Sequence, residues 1–409
     1  MRVVQGTLRL LQGALVTNEK TNEQDIDTAG TTKRRAKFHT LKVSAVRPLT
    51  EKSIEVSFDI PAELQDEYDY VAGQYVALRA NIEGQEVRRS YSICEAPTPG
   101  TIKVGIKRDL GGLFSNWAND NLKPGFEIDV MSPQGAFISK HQLTGMNDPE
   151  ALSKDAVAAG KAHFVAAAAG SGITPVLAIA KSVLAHEGTF VDLIYANRAT
   201  ADVMFLEDLA DLKDRYPTRL AIHHVLSREQ RQAPIYSGRL DVEKLNTIFD
   251  HLINVPAVDE WFLCGPFELV QLIRDELSVR EVPADKVRFE LFTTGEPGEG
   301  PGAQAGRPIQ VDPEGENIEI TFNLDGLSGE VKSPKDARET VLNAALRVRP
   351  DVPFACAGGV CGTCRAKVTE GAVEMTENYA LEADEVERGY VLTCQSRPTT
   401  DKVSVDFDA

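Results

Sequence analysis

The stretch PFACAGGVCGTCRAKV, residues 353–368, and its sequel LTCQSRP, residues 392–398, decide how this chain is read. Together they set Cys356, Cys361, Cys364 and Cys394 in the spacing C-x4-C-x2-C-x29-C. That spacing is the pattern of a four-thiolate [2Fe–2S] centre, with three ligands on one short loop and a distant fourth. Gly358, Gly359 and Gly362 suit a loop whose backbone wraps close to inorganic sulfide and donates N–H groups to it. Structural zinc sites favour paired C-x2-C knuckles, and only one such pair is present, so a zinc site and unligated cysteines stand as the weaker alternatives. In a reducing compartment such a cluster means metal or redox chemistry and not disulfides. The other two cysteines, Cys94 and Cys264, stand alone.

Outward from this motif, residues 309–409 read as one compact unit that opens with two strands in IQVDPEGENIEITFNLDG. The stretch before it, GEPGEGPGAQAGRP (295–308), lacks periodic apolar residues and reads as a linker.

Upstream, residues 146–294 alternate strand and helix. HFVAAAAG is a buried strand, PVLAIAKSVLAHEG a helix, then VDLIYAN, FLEDLADLKDRY, LAIHHVLS, WFLCG, FELVQLIRDEL and KVRFELF follow. That rhythm predicts a doubly wound parallel sheet. Residues 38–145 differ: FHTLKVSAV, SIEVSFDI, QYVALRANI, EVRRSYSI, TIKVGIKR and FEIDVMSP are short alternating strands, interrupted by the helical LFSNWANDNL. They predict an antiparallel β-barrel or sandwich. Residues 139–161 are polar and irregular, fitting a boundary, and residues 1–37 read as a disordered extension.

Three motifs carry chemistry in these two regions. In Arg89-Ser90-Tyr91-Ser92, strand alternation sets Arg89 and Tyr91 on one face, Ser90 and Ser92 on the other. A phenol can stack on an isoalloxazine, a guanidinium can clamp a pyrophosphate, and a hydroxyl can bond near a flavin's reactive nitrogen. Gly112-Leu113-Phe114-Ser115 opens a helix, where free N–H groups and the helix dipole favour phosphate. Gly170 and Gly172 follow a buried strand and precede a helix, the position at which open α/β sheets bind nucleotides. Pro175 replaces the third glycine of the usual fingerprint. A flavin is also what the cluster requires, because a nicotinamide gives a hydride while an iron–sulfur centre takes single electrons.

RSYS, then GGLFS, then the glycine turn, then Cys264-Gly265-Pro266 resembles the ferredoxin–NADP reductase superfamily. The resemblance implies a six-stranded barrel, a nucleotide-binding α/β domain and, after the linker, an α+β β-grasp ferredoxin domain. It implies FAD on Arg89, Ser90, Tyr91 and Ser92, with its pyrophosphate on Gly112 to Ser115. Thr174 lies near the flavin–nicotinamide contact in that family, as does Cys264. Phe292, at the end of Phe289-Glu290-Leu291-Phe292, is the candidate aromatic residue against the flavin, and Glu290 a neighbour of the hydride path; Ser92, Cys264 and Glu290 are thus the catalytic candidates. Ser227 and Arg228, with Arg198 nearby, are candidates for a 2′-phosphate, which favours NADPH over NADH.

With this domain order, FHTLKV, then RRSYSICEAP, FSNWAND, VMSPQGAF and finally EMTENYALEADEVERGYVLTCQSRP resemble the reductase group of phenylacetyl-CoA oxygenases, almost continuously over residues 38–409. That implies a separate di-iron oxygenase as electron acceptor, since this chain has no Glu-x-x-His pair of the ferritin-like kind. A reductase of the same build serving another oxygenase, such as a steroid hydroxylase, or a hybrid-cluster protein remains open. So does an iron–sulfur carrier or sensor without enzymatic activity.

Composition narrows the partners. The formal net charge of -17 argues against nucleic acid, whose phosphates need clustered cations. Residues 309–409 carry 19 acidic against 10 basic side chains, so over half the excess lies there, as a solvated face or a docking surface. No apolar run approaches a membrane span, and MRVVQGTLRLLQGALVTNEK is a poor secretory signal, so a cytoplasmic protein is expected.

Overall fold

The computed structural model describes residues 37–140 and 162–292 except 83, 110 and 136. It also describes 315–409 except 325, 350, 351, 355–358, 360, 361, 377, 379, 380 and 382. The expected extension up to residue 36, the boundary segment from 141 and the linker 295–308 lie outside the described residues.

Strands β1 (Phe38–Thr50), β2 (Ser53–Asp59), β3 (Tyr75–Ile82), β4 (Gln85–Ser92), β5 (Thr101–Lys107) and β6 (Glu127–Met131) form one antiparallel sheet. Its order is β4-β3-β6-β1-β2-β5. The two edges meet: Ile93 bridges Val104, and the Cys94 N–H donates to the Lys103 carbonyl at 2.9 Å. This contact curls the sheet towards a barrel. Alternation fills the inside, where Ile102, Val104 and Ile106 of β5 are fully buried with Val56, Phe58 and Leu78. Each such side chain contributes about 1.5–3 kcal/mol of hydrophobic stabilisation. Helix α1 (Leu113–Asn121) follows β5 and sets Phe114 and Ala118 into the same core.

A parallel sheet comes next: β7 (Ala162–Ala169), β8 (Thr189–Asn197), β9 (Leu220–Leu226), β10 (Glu260–Gly265) and β11 (Val287–Leu291), in the order β11-β10-β7-β8-β9. Helices α2 (Ile173–Leu184) and α3 (Leu206–Arg215) cover one face, α4 (Val242–His251) and α5 (Phe267–Val279) the other. The strand order reverses between β7 and β10, which opens a crevice at their carboxyl ends.

Barrel and parallel sheet share a core, for Ala72, Cys94 and Phe137 pack with the α2 face. The chain that crosses from one to the other is fastened by Glu260, a fully buried carboxylate that accepts from the Ser139 hydroxyl and, at 2.9 Å, from the Lys140 N–H. Arg47 of β1 holds Glu55 and reaches Asp208 of α3 at 2.9 Å. Glu95 sits between Lys103 of β5 at 3.1 Å and Lys181 of α2 at 2.9 Å.

The C-terminal unit contains β12 (Asn317–Leu324), β13 (Leu327–Pro334), α6 (Val341–Val348), β14 (Arg365–Glu370), β15 (Val373–Met375), α7 (Ala383–Glu387), β16 (Tyr390–Leu392), β17 (Ser396–Pro398) and β18 (Lys402–Asp406). Five strands form a mixed sheet, β13-β12-β18-β14-β16, with β12 and β18 parallel and α6 packed on β12 and β13. The first strand expected in 309–326 falls mostly on undescribed residues; the second is β12, and its hairpin partner is β13. The alternation of β13 is weak in sequence because Gly329 leaves room for the Phe322 ring, 2.3 Å from where its Cβ would stand.

Candidate functional site

The flavin-side residues gather on β4 and the start of α1. Tyr91 is half-buried with its ring 5.8 Å from that of Phe114, Arg89 is exposed with its guanidinium donating to the Arg88 carbonyl at 2.7 Å, and Ser92 is buried at the end of β4. Ser90 is half-buried on the opposite face of the strand from Tyr91. Helix α1 begins at Leu113 with Gly112 as its N-cap, a residue that has no side chain to cap the first-turn N–H groups. Helix N-termini of this kind suit phosphate, because their first N–H groups have no intrahelical partner. A Cβ at Gly112 would stand 2.5 Å from Ser115 Oγ, so only glycine keeps this cradle open. Ser115 itself accepts the Asp109 N–H at 3.1 Å, which shapes the loop. The residues fit a flavin dinucleotide: an aromatic ring, a guanidinium and a glycine-capped helix N-terminus lie on adjoining elements.

The nicotinamide-side residues meet at the crevice between β7 and β10. Gly170 has φ 54°, a left-handed turn that glycine adopts without strain. Gly172 approaches β10 so closely that a Cβ would lie 2.2 Å from the Cys264 carbonyl oxygen. Thr174 is buried, its hydroxyl donating to the Ser171 carbonyl at 2.9 Å, and Pro175 sits in the first turn of α2 where no intrahelical donor is needed. Cys264 is fully buried and stands beside Glu290 in the β10–β11 register. Burial, with a smaller contribution from Glu290, pushes the Cys264 thiol well above its ordinary range. Phe292 donates its N–H to the Gly265 carbonyl at 2.9 Å and packs against the core that contains Cys264. Pro266 caps α5.

The third group lies at the ends of β8 and β9. The Ser227 N–H donates to the Asn197 carbonyl at 2.9 Å and the Arg228 N–H to the Arg198 carbonyl at 2.7 Å. This places Arg198, Ser227 and Arg228 side by side, with both arginines exposed. Glu229 is turned aside, clasped by the Thr200 N–H at 2.6 Å and the Thr200 hydroxyl at 2.8 Å.

Of the four cysteine candidates, Cys364 and Cys394 are described and both are buried; Cys356 and Cys361 lie outside the described residues. Thr393 ties the two loops together through the Cys364 carbonyl, and Gly359 and Gly362 carry φ of 81° and 68°. Two buried cysteines joined through Thr393, one of them on a glycine-bearing loop, fit thiolate ligation of a cluster.

Lys107 was not evident in the sequence. Its ammonium lies 3.2 Å from where a Cβ on Gly170 would stand, so the barrel contributes a cation to the glycine turn of the other domain. Burial lowers its pKa, opposed by Asp202. Asp109, two residues on, has its carboxyl raised by burial against the pull of Lys107 and Arg89. Lys103, Gly105 and Lys107 share one face of β5, and that face meets Lys181, Thr174 and Gly170.

Known domain families and relatives match this chain along most of its length. Residues 40–138 match the oxidoreductase FAD-binding domain, 167–275 the oxidoreductase NAD-binding domain and 322–399 the 2Fe-2S iron-sulfur cluster binding domain. The chain is 39% identical over 373 residues to a component protein of the 1,2-phenylacetyl-CoA epoxidase of Escherichia coli (strain K12), covering 91% of this chain and 98% of that one. It is 34% identical over 373 residues to the ferredoxin reductase component of 3-ketosteroid-9-alpha-monooxygenase from Rhodococcus rhodochrous, covering 90% and 96%. The solved structure of phthalate dioxygenase reductase shares the fold, with TM-score 0.52 and 21% identity over 90% of this chain and 98% of that one. Among the described residues no helix is long and apolar enough to cross a membrane. An FAD-binding barrel, an NAD-binding sheet and a C-terminal [2Fe–2S] domain on one chain place this protein in the ferredoxin–NADP reductase family, as an NAD(P)H-dependent oxidoreductase and reductase component.

Proposed function

We propose that the chain draws electrons from NADPH and delivers them, through FAD and the [2Fe–2S] cluster, to a di-iron oxygenase that acts on phenylacetyl-CoA. The observation that carries the acceptor is the 39% identity to the Escherichia coli epoxidase component over nearly the whole of both chains. Bound FAD supplies the conversion of a hydride pair into single electrons.

The chain's own residues orient and shield. Tyr91 offers a ring face, Arg89 a cation, Ser90 and Ser92 hydroxyls, and Gly112 to Ser115 the amides that hold the flavin pyrophosphate. Gly170, Gly172, Thr174, Pro175, Cys264, Gly265, Pro266 and Phe292 line the nicotinamide crevice, with Lys107 as an added cation. Buried Ser92, Cys264 and Glu290 exclude water and present polar groups without bulk solvent. Arg198, Ser227 and Arg228 present two guanidiniums and a hydroxyl to a 2′-phosphate, which favours NADPH over NADH. Cys356, Cys361, Cys364 and Cys394 hold the iron. NADPH and reduced thiolates both belong to the cytoplasm, where we place the protein.

A relative with 34% identity is named for 3-ketosteroid-9-alpha-monooxygenase, so a steroid hydroxylase is the second reading. The purified reductase, mixed with each oxygenase in turn, tests the choice. NADPH-dependent epoxidation of phenylacetyl-CoA, absent with the steroid enzyme, supports the first; the reverse pattern overturns it.

A further inference from the structure

Resting on the cluster-bearing reading, we propose that the side chain of Gln395 is a positioning residue that raises the reduction potential of the cluster by donating a hydrogen bond to Cys394 Sγ. Gln395 Nε2 lies 3.7 Å from that sulfur, a reach suited to the large sulfur acceptor. The orientation is chemically determined: a thiolate accepts and cannot donate, so the amide must present its NH2 and not its oxygen. The amide is neutral, so the contact supplies a donor dipole without adding a charge.

The backbone around Gln395 is fixed on both sides, which limits where the amide can point. Its N–H donates to the Leu392 carbonyl at 2.9 Å. Its carbonyl accepts from the Thr376 N–H at 3.0 Å and from the Thr376 hydroxyl at 3.3 Å. The fully buried Ser396 returns its hydroxyl to Leu392 at 2.8 Å, and Arg397 reaches Thr376 Oγ1 at 2.7 Å. Cys394 is buried, so water does not compete strongly for the sulfur.

One-electron reduction makes the ligand sulfurs more negative. A donor aimed at Cys394 therefore stabilises the reduced form more than the oxidised one. Nothing in the cysteine spacing requires a glutamine after the fourth ligand; the contact emerges from the fold.

The test uses the full-length holoenzyme with Gln395→Leu and Gln395→Glu, followed by a redox titration monitored through the electron spin signal of the reduced cluster. Leucine removes the donor, and the equilibrium for cluster reduction falls about three- to tenfold, roughly 30–60 mV at 59 mV per tenfold. Glutamate, with an acceptor and a charge in the same place, falls further. Midpoints equal to that of the unaltered protein in both variants overturn the proposal. Should either variant fail to retain iron, unaltered holoenzyme carrying glutamine labelled with 15N at the side-chain nitrogen is studied by pulsed spin resonance. A 15N coupling to the reduced cluster supports the contact, and its absence beside a normal [2Fe–2S] signal overturns it. A protein with no such signal at all would instead refute the cluster reading itself.

Discussion

Thr393 holds Cys364 by its backbone: the Cys364 carbonyl accepts the Thr393 N–H at 3.1 Å and the Thr393 hydroxyl at 2.9 Å. Thr393 is fully buried and immediately precedes Cys394. One residue thus joins the loop that carries three cysteines to the strand end that carries the fourth. Thr393→Val keeps the shape and the backbone bond but loses the hydroxyl, a loss of about 1 kcal/mol. Iron release to a chelator should accelerate several-fold with the far-ultraviolet spectrum unchanged; an unaltered release rate would remove Thr393 from the account.

Gly172→Ala should damage the nicotinamide crevice while sparing the barrel. The added methyl carbon would lie 2.2 Å from the Cys264 carbonyl oxygen, a backbone atom that cannot rotate away. Relief by backbone shifts costs roughly 1–3 kcal/mol. Flavin content should remain near that of the unaltered protein while NADPH-driven flavin reduction in a stopped-flow instrument slows at least about tenfold, since 1.4 kcal/mol is a factor of ten.

Arg228→Ala tests the nucleotide preference. A charge-assisted hydrogen bond contributes about 1.5–3 kcal/mol, so KM for NADPH should rise about ten- to a hundredfold. KM for NADH should hardly move, because it lacks the phosphate that the guanidinium would meet. Equal losses with both nucleotides would place Arg228 elsewhere in the site.

Glu95 links acidity to the joint between barrel and parallel sheet. Burial acts to raise its carboxyl, but Lys181 and Lys103 together outweigh burial and hold it below the usual carboxylate range. A carboxylate depressed in the folded state contributes stability above its unfolded pKa, and that contribution fades as pH falls through the lower folded value. Tm should therefore drop in the acid range below about pH 4.3, the ordinary glutamate value. Glu95→Gln should be less stable near neutrality and show a shallower decline in acid. Melting curves of both proteins across that range decide the matter.

Burial holds the Cys94 and Cys264 thiols well above their ordinary range. Only the thiolate reacts with alkylating agents. With the cluster in place, neither residue should take up iodoacetamide at pH 8 in the native protein, and both should react after denaturation. Mass spectrometry of the digested protein reads each site separately.

Much of this molecule was legible before folding. The spacing of Cys356, Cys361, Cys364 and Cys394 pointed to the 2Fe-2S domain that residues 322–399 match, because thiolate ligation constrains spacing along the chain. The strands of the barrel and the alternating strand–helix rhythm were legible because periodicity is a local property. RSYS and the glycine turn could be placed because each sits within one element or at one element's end. β13 escaped notice because its inward position at Gly329 is filled by the Phe322 ring of the neighbouring strand, so its own alternation is broken.

What the tertiary structure alone decided lies between elements. Lys103, Gly105 and Lys107 sit on one face of β5 by simple alternation, yet nothing local says that this face meets α2 and the glycine turn. The fastening of Ser139 and Lys140 by Glu260 spans 121 and 120 residues, and the pairing of Cys264 with Glu290 depends on strand register. The hydroxyl of Thr393 reaches Cys364 across 29 residues. Sequence determines the chemistry that each residue carries and the period on which it recurs; only the packing of one element against another determines which of those groups meet.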